Sequence, residues 1–411
     1  MREKLRILLL SENFFPPSTA SAQRLYAYAK TLVSHSYDTF VITKSPVGFE
    51  SKGITVISRN PKKIIPIFDP ILLILYFIAS LGVIRKHHIG LIISTVPKIN
   101  NAVAGFLLSK LFKIPHIIDI RDYWETSLFF YPLDKIVPRR LAFLFIKTTS
   151  MIYRQANSLI TVNETLKNIL IKRGVPHKRI HIIPSGADTS LFRPCGNDNC
   201  VRLLRERYML PLSKLILVYG GALAVDYKFD ALLEAVSYLR ENNNFLLLII
   251  GRPTLLMNNK TILQIAKRLG IKGKVKVMDP LPAGRLAEIF RCCDVGVIPL
   301  DDRESLRHVI TAKIFAYLSS GLPVLASGPK NGELEKFLTT YKVGFFVEGT
   351  TPKEFADMLK TIVREKSKIK DMGSTGRRIM EEKLDRYELS RSIIDVIHHV
   401  TGGHIILVNR S

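Results

Sequence analysis

Lys313 stands two residues after Thr311, at the start of an apolar helical pattern over Ala312–Ser319. A cation is slightly unfavourable there, because the helix dipole turns its positive end to that terminus. A lysine so placed is either a surface side chain or one that binds an anion. Arg303 and Arg307 precede it and offer further cations to a phosphate, unless they are solvated loop charges. Gly220 and Gly221 close an apolar run, where the missing side chains let a ligand approach the backbone. A turn without a ligand would use the same pair. In the first half, Arg121 and Asp122 follow the run His116–Ile120. That carboxylate suits orienting an acceptor hydroxyl and that arginine suits holding an acidic group, or the two pair with each other. Trp124, the only tryptophan, either stacks on a sugar face or packs. Near the start, Ser18, Thr19, Ala20 and Ser21 form a small-residue loop entering a helix, whose backbone N–H groups suit an anion. The alternative is a plain strand-to-helix turn capped by Ser21.

These residues need elements to hold them, and the pattern is one of short Ile/Leu/Val runs alternating with helical segments, as in parallel sheets with crossover helices. Strands are expected over Leu5–Leu10, Thr39–Thr43, Ile54–Ser58, Leu91–Ser94, His116–Ile120, Ser158–Val162 and Ile180–Pro184. A polar, turn-rich stretch over Ser190–Asn199 reads as a linker. A second set follows over Leu215–Gly220, Phe245–Gly251, Val275–Met278, Val295–Pro299, Pro323–Ala326 and Gly344–Val347. The expected fold is α/β: two Rossmann-like, doubly wound domains, residues 1–195 and 200–385, facing a central cleft. A last helix, Tyr387–Val400 within residues 386–411, is expected to cross back to the first domain. No G-x-G-x-x-G follows the first strand, which argues against a dinucleotide-dependent dehydrogenase.

The chain has 411 residues, enough for two such domains, with 60 Lys+Arg against 35 Asp+Glu and a net charge of +25. Residues 1–200 hold 27 of the basic and 12 of the acidic side chains. An acidic partner is implied: nucleic acid, an anionic membrane or a phosphorylated substrate. With no zinc-finger spacing or aromatic-rich basic ribbon, nucleic acid is not expected. Four cysteines, Cys195, Cys200, Cys292 and Cys293, are too few for a disulfide framework and fit a reduced, cytoplasmic compartment, and no metal site is expected. No signal peptide is apparent, and the longest apolar stretch, Ile71–Ile84, falls short of a membrane span. It reads as a buried helix or as one lying in a membrane interface, with Arg85 and Lys86 at the headgroups. Residues 128–154 combine Phe129, Phe130, Tyr131 and Leu133 with Lys135, Arg139, Arg140, Lys147 and Arg154, the composition of a peripheral membrane surface or of a buried helix with one basic face.

The segment Phe14-Phe-Pro-Pro17, followed by the small-residue loop and Gln23-Arg-Leu-Tyr26, resembles the opening of glycosyltransferase family 4. Further segments agree in order: Leu91–Pro97, which contains Thr95, Asp119-Ile-Arg-Asp-Tyr-Trp124, Ile160–Leu166, Ile183–Asp188, Tyr219-Gly-Gly221, Asp294–Pro299, Ala312–Pro323 and Gly332-Glu333. The resemblance covers roughly Leu5 to Val396 and implies a GT-B fold. It implies transfer of a sugar from a nucleotide-diphosphate donor, usually with retention of anomeric configuration and without a cofactor or an obligatory metal. Negative charge builds on the diphosphate leaving group in such a reaction, and fixed cations must stabilise it. Lys313 matches the family's lysine for that role, and Lys228 lies beside the position of its phosphate-binding lysine.

Three departures accompany the match. Tyr227 occupies the usual lysine position, Ala222 the usual arginine position, and His308 and Ala316 replace a glutamate pair of which the second holds the donor ribose. Ala316 has no side-chain acceptor for ribose hydroxyls, so either another group, with Glu333 and Glu304 as the candidates, takes that role, or the donor is not an ordinary nucleoside diphosphate sugar, or activity has been lost. The reading is a glycosyltransferase at the cytoplasmic membrane face. It would use a glycan or polyprenyl-type lipid-linked acceptor in cell-surface polysaccharide biosynthesis. An epimerase of the same fold and a non-catalytic nucleotide- or glycan-binding protein are the alternatives.

Overall fold

The computed structural model describes residues 4–17, 19–45, 52–59, 70–97, 99–125, 138–254, 257–348 and 350–402. Two compact units emerge: residues 1–185 with 386–411, and residues 186–385. The chain thus leaves the first unit, builds the second whole, and returns.

The first unit contains β1 (Arg6–Leu10), α1 (Ala20–Ser34), β2 (Asp38–Thr43), β3 (Ile54–Ser58), α2 (Pro70–His87), β4 (Leu91–Val96) and α3 (Ile99–Phe112). It continues with β5 (His116–Ile120), α4 (Arg139–Gln155), β6 (Ser158–Thr161), α5 (Glu164–Lys172) and β7 (Ile180–Ile182). Its seven strands run parallel in the order β3-β2-β1-β4-β5-β6-β7. Both faces of this sheet are covered, which is why β1 reads as an apolar run over Ile7–Leu10 and β4 over Leu91–Ile93. Ile7 and Leu9 face one core with Leu25, Tyr28 and Leu32 of α1, while Leu8 and Leu10 face another with Leu72 and Tyr76 of α2 and Leu108 of α3.

The second unit contains α6 (Asp198–Arg207), β8 (Leu215–Ala222), α7 (Phe229–Ser237), β9 (Phe245–Arg252), α8 (Asn259–Arg268), β10 (Val275–Met278) and α9 (Ala283–Arg291). It ends with β11 (Val295–Pro299), α10 (Ala312–Ser319), β12 (Val324–Gly328), α11 (Glu333–Tyr341), β13 (Gly344–Glu348), α12 (Pro352–Arg364) and α13 (Lys366–Lys383). All six strands are parallel in the order β10-β9-β8-β11-β12-β13, the strand order of a Rossmann domain. The last helix, α14 (Arg386–Thr401), belongs to the first unit and packs on α1.

Three expectations are corrected. The helix α6 begins inside the stretch read as a linker, because Asn197 caps it by accepting from the Cys200 N–H at 3.0 Å. The same turn brings Cys195 and Cys200 into a disulfide, their Cα atoms 5.7 Å apart, where reduced cysteines were expected; Cys292 and Cys293 are free thiols. The cap of α1 is Thr19 rather than Ser21, since the helix starts at Ala20 and the Thr19 hydroxyl accepts from the Ala22 N–H at 3.2 Å.

Candidate functional site

In an open α/β sheet, ligands bind beyond the carboxyl ends of the strands where the strand order reverses. In the second sheet that point lies between β8 and β11; Gly220, Gly221 and Lys228 follow or end β8, Arg303, Arg307 and Lys313 follow β11, and Glu333 follows β12. β8 ends in Gly220, Gly221 and Ala222. Gly221 has a φ of +150°, and a Cβ there would meet Lys313 Cε at 3.2 Å, so the absent side chain is what lets Lys313 lie against the strand end. Gly220 is fixed by its N–H, which donates to the Tyr317 hydroxyl at 2.8 Å.

Lys313 rises from the first turn of α10 into an aromatic setting. Its ammonium lies 3.7 Å from the ring centre of Tyr227 and 4.6 Å from that of Tyr219, and it donates to the Tyr219 hydroxyl at 3.4 Å. Burial pushes its pKa down to about 7, with Asp226 opposing that shift. The residue nonetheless keeps part of its surface accessible.

The neighbouring cations are differently placed. The loops after β8 and β11 are zipped together by Lys228 N to Pro299 O at 2.8 Å and Asp301 N to Asp226 O at 2.8 Å. Within that zipper Asp301 takes Arg303 at 2.9 Å and Lys228 at 3.6 Å, while Asp226 takes Arg303 at 2.7 Å. Burial still drives the Asp301 pKa upward against those two cations. Arg307 pairs with Glu304 at 2.9 Å, and its backbone carbonyl accepts from the Glu333 N–H at 2.8 Å. Glu333 begins α11 after Gly332 and lies 3.6 Å from Lys336. Lys313, Gly220 and Gly221 therefore form one contact set, Lys228 and Arg303 a second around Asp301, and Arg307 and Glu333 a third.

In the first sheet the equivalent point lies between β1 and β4. Thr95, near the end of β4, is buried, with its hydroxyl 3.5 Å from both Leu10 O and Ser11 Oγ. Arg121 donates to Ser21 Oγ at 3.0 Å and Val96 O at 3.1 Å, and its Nε lies 3.9 Å from Asp119. Its partner is therefore Asp119 as well as any charge beyond, and burial lowers its pKa. Asp122 and Trp124 follow; Trp124 makes an edge contact with Phe145 at 5.5 Å. Ala20 begins α1 beside the Thr19 cap. Ser18 lies outside the described residues, as do Phe129, Phe130, Tyr131, Leu133 and Lys135.

Sequence reasoning missed the centre of this cluster. Arg24 of α1 grips the Asp119 carboxylate through Nε at 3.1 Å and Nη2 at 3.0 Å, and the Pro184 carbonyl through Nη1 at 2.8 Å. Both partners are almost fully buried. The available signal was Asp119 itself, a lone charge inside the apolar strand His116–Ile120. Arg24 and Arg121 thus share the buried Asp119 carboxylate, with Asp122 also acting on Arg121. Among the described residues, no group of three His, Cys, Asp or Glu side chains is placed to hold a metal ion.

A family model of the glycosyl transferases group 1 matches residues 202–379, and one of glycosyltransferase family 4 matches residues 21–191. D-inositol 3-phosphate glycosyltransferase of Corynebacterium glutamicum is 24% identical over 208 residues, 50% of this chain and 48% of that one. The chain spans about half the length of the curated relatives it matches. Among solved structures, sucrose-phosphate synthase from Thermosynechococcus elongatus aligns with a TM-score of 0.80 at 15% identity, covering 98% of this chain and 100% of that one. HepE from Anabaena in complex with UDP-glucose aligns with a TM-score of 0.72 at 15% identity, covering 96% and 99%. At these identities the likeness is one of fold.

Proposed function

The chain belongs to the glycosyltransferases of group 1 and family 4 and has their GT-B fold, and from that premise we propose that it transfers a sugar from a nucleoside diphosphate donor with retention of configuration. The observation that carries this reading is Lys313 lying against the glycine end of β8, at the strand-order reversal of a Rossmann sheet. A diphosphate seated at Gly220 and Gly221 would meet that ammonium at the oxygens that gain charge as the glycosidic bond breaks. Glu333 is the carboxylate assigned to the donor ribose, and Lys228, Arg303 and Arg307 complete the donor side. On the acceptor side Asp122 orients the hydroxyl and Arg121 holds an acidic group of the acceptor, with Thr95, Trp124 and the loop 18–21 lining the approach. Thermal-shift binding of a panel of nucleotide sugars tests the donor site, because a ligand of the folded state raises its melting temperature. A shift lost in Lys313→Ala is expected; no shift from any donor sinks the reading. Binding without transfer to any membrane acceptor would leave a nucleotide-binding protein.

We infer further that the acceptor is lipid-linked, a precursor of a cell-surface glycan or glycolipid, and is met at the cytoplasmic face of an anionic membrane. Three adjacent helices of the first unit, α2, α3 and α4, contain no acidic residue. They expose Ile71, Ile74 and Ile78, then Leu107 and Leu111, then Leu141, Phe143, Leu144 and Met151. Arg85, Lys86, Lys110, Arg139, Arg140, Lys147 and Arg154 accompany them. Apolar side chains that enter the acyl boundary beside cations that meet headgroups are what an interfacial surface needs. α2 is also long and apolar enough to cross a membrane by length and composition. Its other face carries Leu72, Tyr76 and Val83 into the first unit's core, and Tyr76 donates to Ser11 O at 3.1 Å. Cosedimentation with phosphatidylglycerol vesicles, lost in Ile74→Glu/Leu144→Glu, is the expected result. Equal recovery with and without vesicles would remove the membrane from the proposal.

A further inference from the structure

Of the four cations assigned to the donor site, three already face carboxylates: Lys228 and Arg303 at Asp301, and Arg307 at Glu304. Lys313 differs, for among the described residues no carboxylate comes within ion-pair distance of it. Two phenol rings occupy its surroundings instead. Tyr219 is buried and its hydroxyl is committed to the Ala222 carbonyl, so that ring cannot swing away without losing a bond. Tyr227 is held in turn by its bridge to Leu300 and by ring contacts with Tyr219 at 5.5 Å and Phe229 at 6.2 Å. The Gly221 backbone runs beside Lys313 Cε, where an added Cβ would stand 3.2 Å away.

Resting on the donor-site reading above, we propose that Tyr219 and Tyr227 form an aromatic box that positions Lys313 and stands in for a carboxylate partner, so that the donor diphosphate meets the amine with no ion pair to displace. Ring faces attract an ammonium without neutralising it, whereas a carboxylate would have to be displaced or would repel the incoming anion. Tyr227, at the place where a second phosphate-binding lysine would be expected, is on this account a positioning residue and not a lost function. The box also makes the lysine's protonation conditional. The titratable groups facing it are Tyr219 from β8, and Asp226 and Tyr227 from the loop after β8, with Asp226 taken up by Arg303. Desolvated there, the ammonium loses its proton near neutrality, and an arriving diphosphate returns it. Donor binding therefore takes up a proton.

The box is tested without any nucleotide by NMR titration of 13Cε-lysine-labelled protein, with the Lys313 signal assigned by its absence in Lys313→Arg. The expected midpoint is about 7 in the wild type. Tyr227→Leu, whose shorter side chain admits water to the ammonium, should move it up by more than one pH unit, regained hydration outweighing the lost ring attraction, and Tyr227→Phe, which keeps both the ring face and the cover, should leave it in place. If Tyr227→Leu does not fold, Tyr227→Gln makes the same comparison. A wild-type midpoint in the ordinary lysine range, or one indifferent to Tyr227→Leu, overturns the box. Calorimetry of UDP-glucose and GDP-mannose at pH 8, in buffers of different ionisation enthalpy, should show uptake of most of one proton in the wild type and far less in Tyr227→Leu. Equal uptake in both overturns the coupling. A Tyr227-dependent midpoint with no binding of either donor would keep the positioning role and sink the donor site itself.

Discussion

Lys228 and Lys313 belong to the same proposed donor site and stand in opposite electrostatic circumstances. Lys228 has a carboxylate at 3.6 Å and an exposed side chain, so removing it should cost little. Lys313 has two aromatic rings against its ammonium and, among the described residues, no carboxylate at ion-pair distance, and Lys313→Ala should lower transfer by about 10²-fold or more, the scale of losing one preorganised contact to developing charge. Initial rates on matched donor and acceptor concentrations check the pair; equal losses would refute the contrast. Gly220, Gly221 and Lys313 were legible in the sequence because a glycine pair after an apolar run and a lysine at a helix start each break a local rule. A second residue-scale expectation concerns His116, buried beside Ser94 Oγ at 2.8 Å, with its pKa pushed down to about 3 by burial. The unfolded chain binds a proton at this side chain below pH ~6.5 and the folded chain does not until far lower. Stability from this group is complete above pH ~6.5 and falls as pH drops toward 3, by up to about 1.4 kcal/mol per pH unit. Urea unfolding at pH 7, 6 and 5 should show this loss, with a shallower slope in His116→Gln.

At the scale of elements, all thirteen strands among the described residues were legible to within two residues at each end, because the central ones, buried on both faces, are mostly apolar runs and the others are rich in Ile, Val and Phe. Of the helices that escaped, α6, α11 and α13, the first and last are the most polar among the described residues. α13 (Lys366–Lys383) reads as a basic stretch broken by Gly373 and Gly376, residues of low helix propensity. Packing explains both glycines: a Cβ on Gly373 would lie 2.1 Å from Gly321 O, and one on Gly376 would lie 2.7 Å from Leu318 Cδ2. The close approach of α13 to the end of α10 thus requires the residues that hid the helix. Gly373→Ala should therefore destabilise the second unit despite alanine's higher propensity, whereas Gly82→Ala on α2, with nothing within 4 Å, should stabilise by about 0.5–1 kcal/mol. Melting temperatures of the two variants should move in opposite directions, and a gain in both would contradict the packing account.

Across the whole molecule, the chain enters the first unit twice, and the second entry is α14. Its sequence is only moderately apolar, so periodicity reveals a helix but not what the helix covers. The structure supplies the partner: Ile393, Ile394, Val396 and Ile397 join the core formed by Leu25, Tyr28, Ala29 and Leu32 of α1 and by Ile7 and Leu9 of β1. A hydroxyl pair, Thr31 with Ser390, sits inside this contact. The apolar face of α1 is thereby closed by residues more than three hundred and fifty positions further along the chain. Stability of the first unit should then depend on the last helix. Ending the chain after Asp385 would strip α1 of that cover and expose a contiguous apolar surface, so the shortened protein should aggregate or melt well below the full chain. Ile393→Ala is the gentler form of the experiment, expected to cost about 2–4 kcal/mol through a cavity against α1. Hydrogen exchange read unit by unit separates the outcomes. Faster exchange in β1, α1 and β2, with α7 and β8 unchanged, is the expected pattern, and a uniform increase in both units would mean that α14 serves the molecule in some other way.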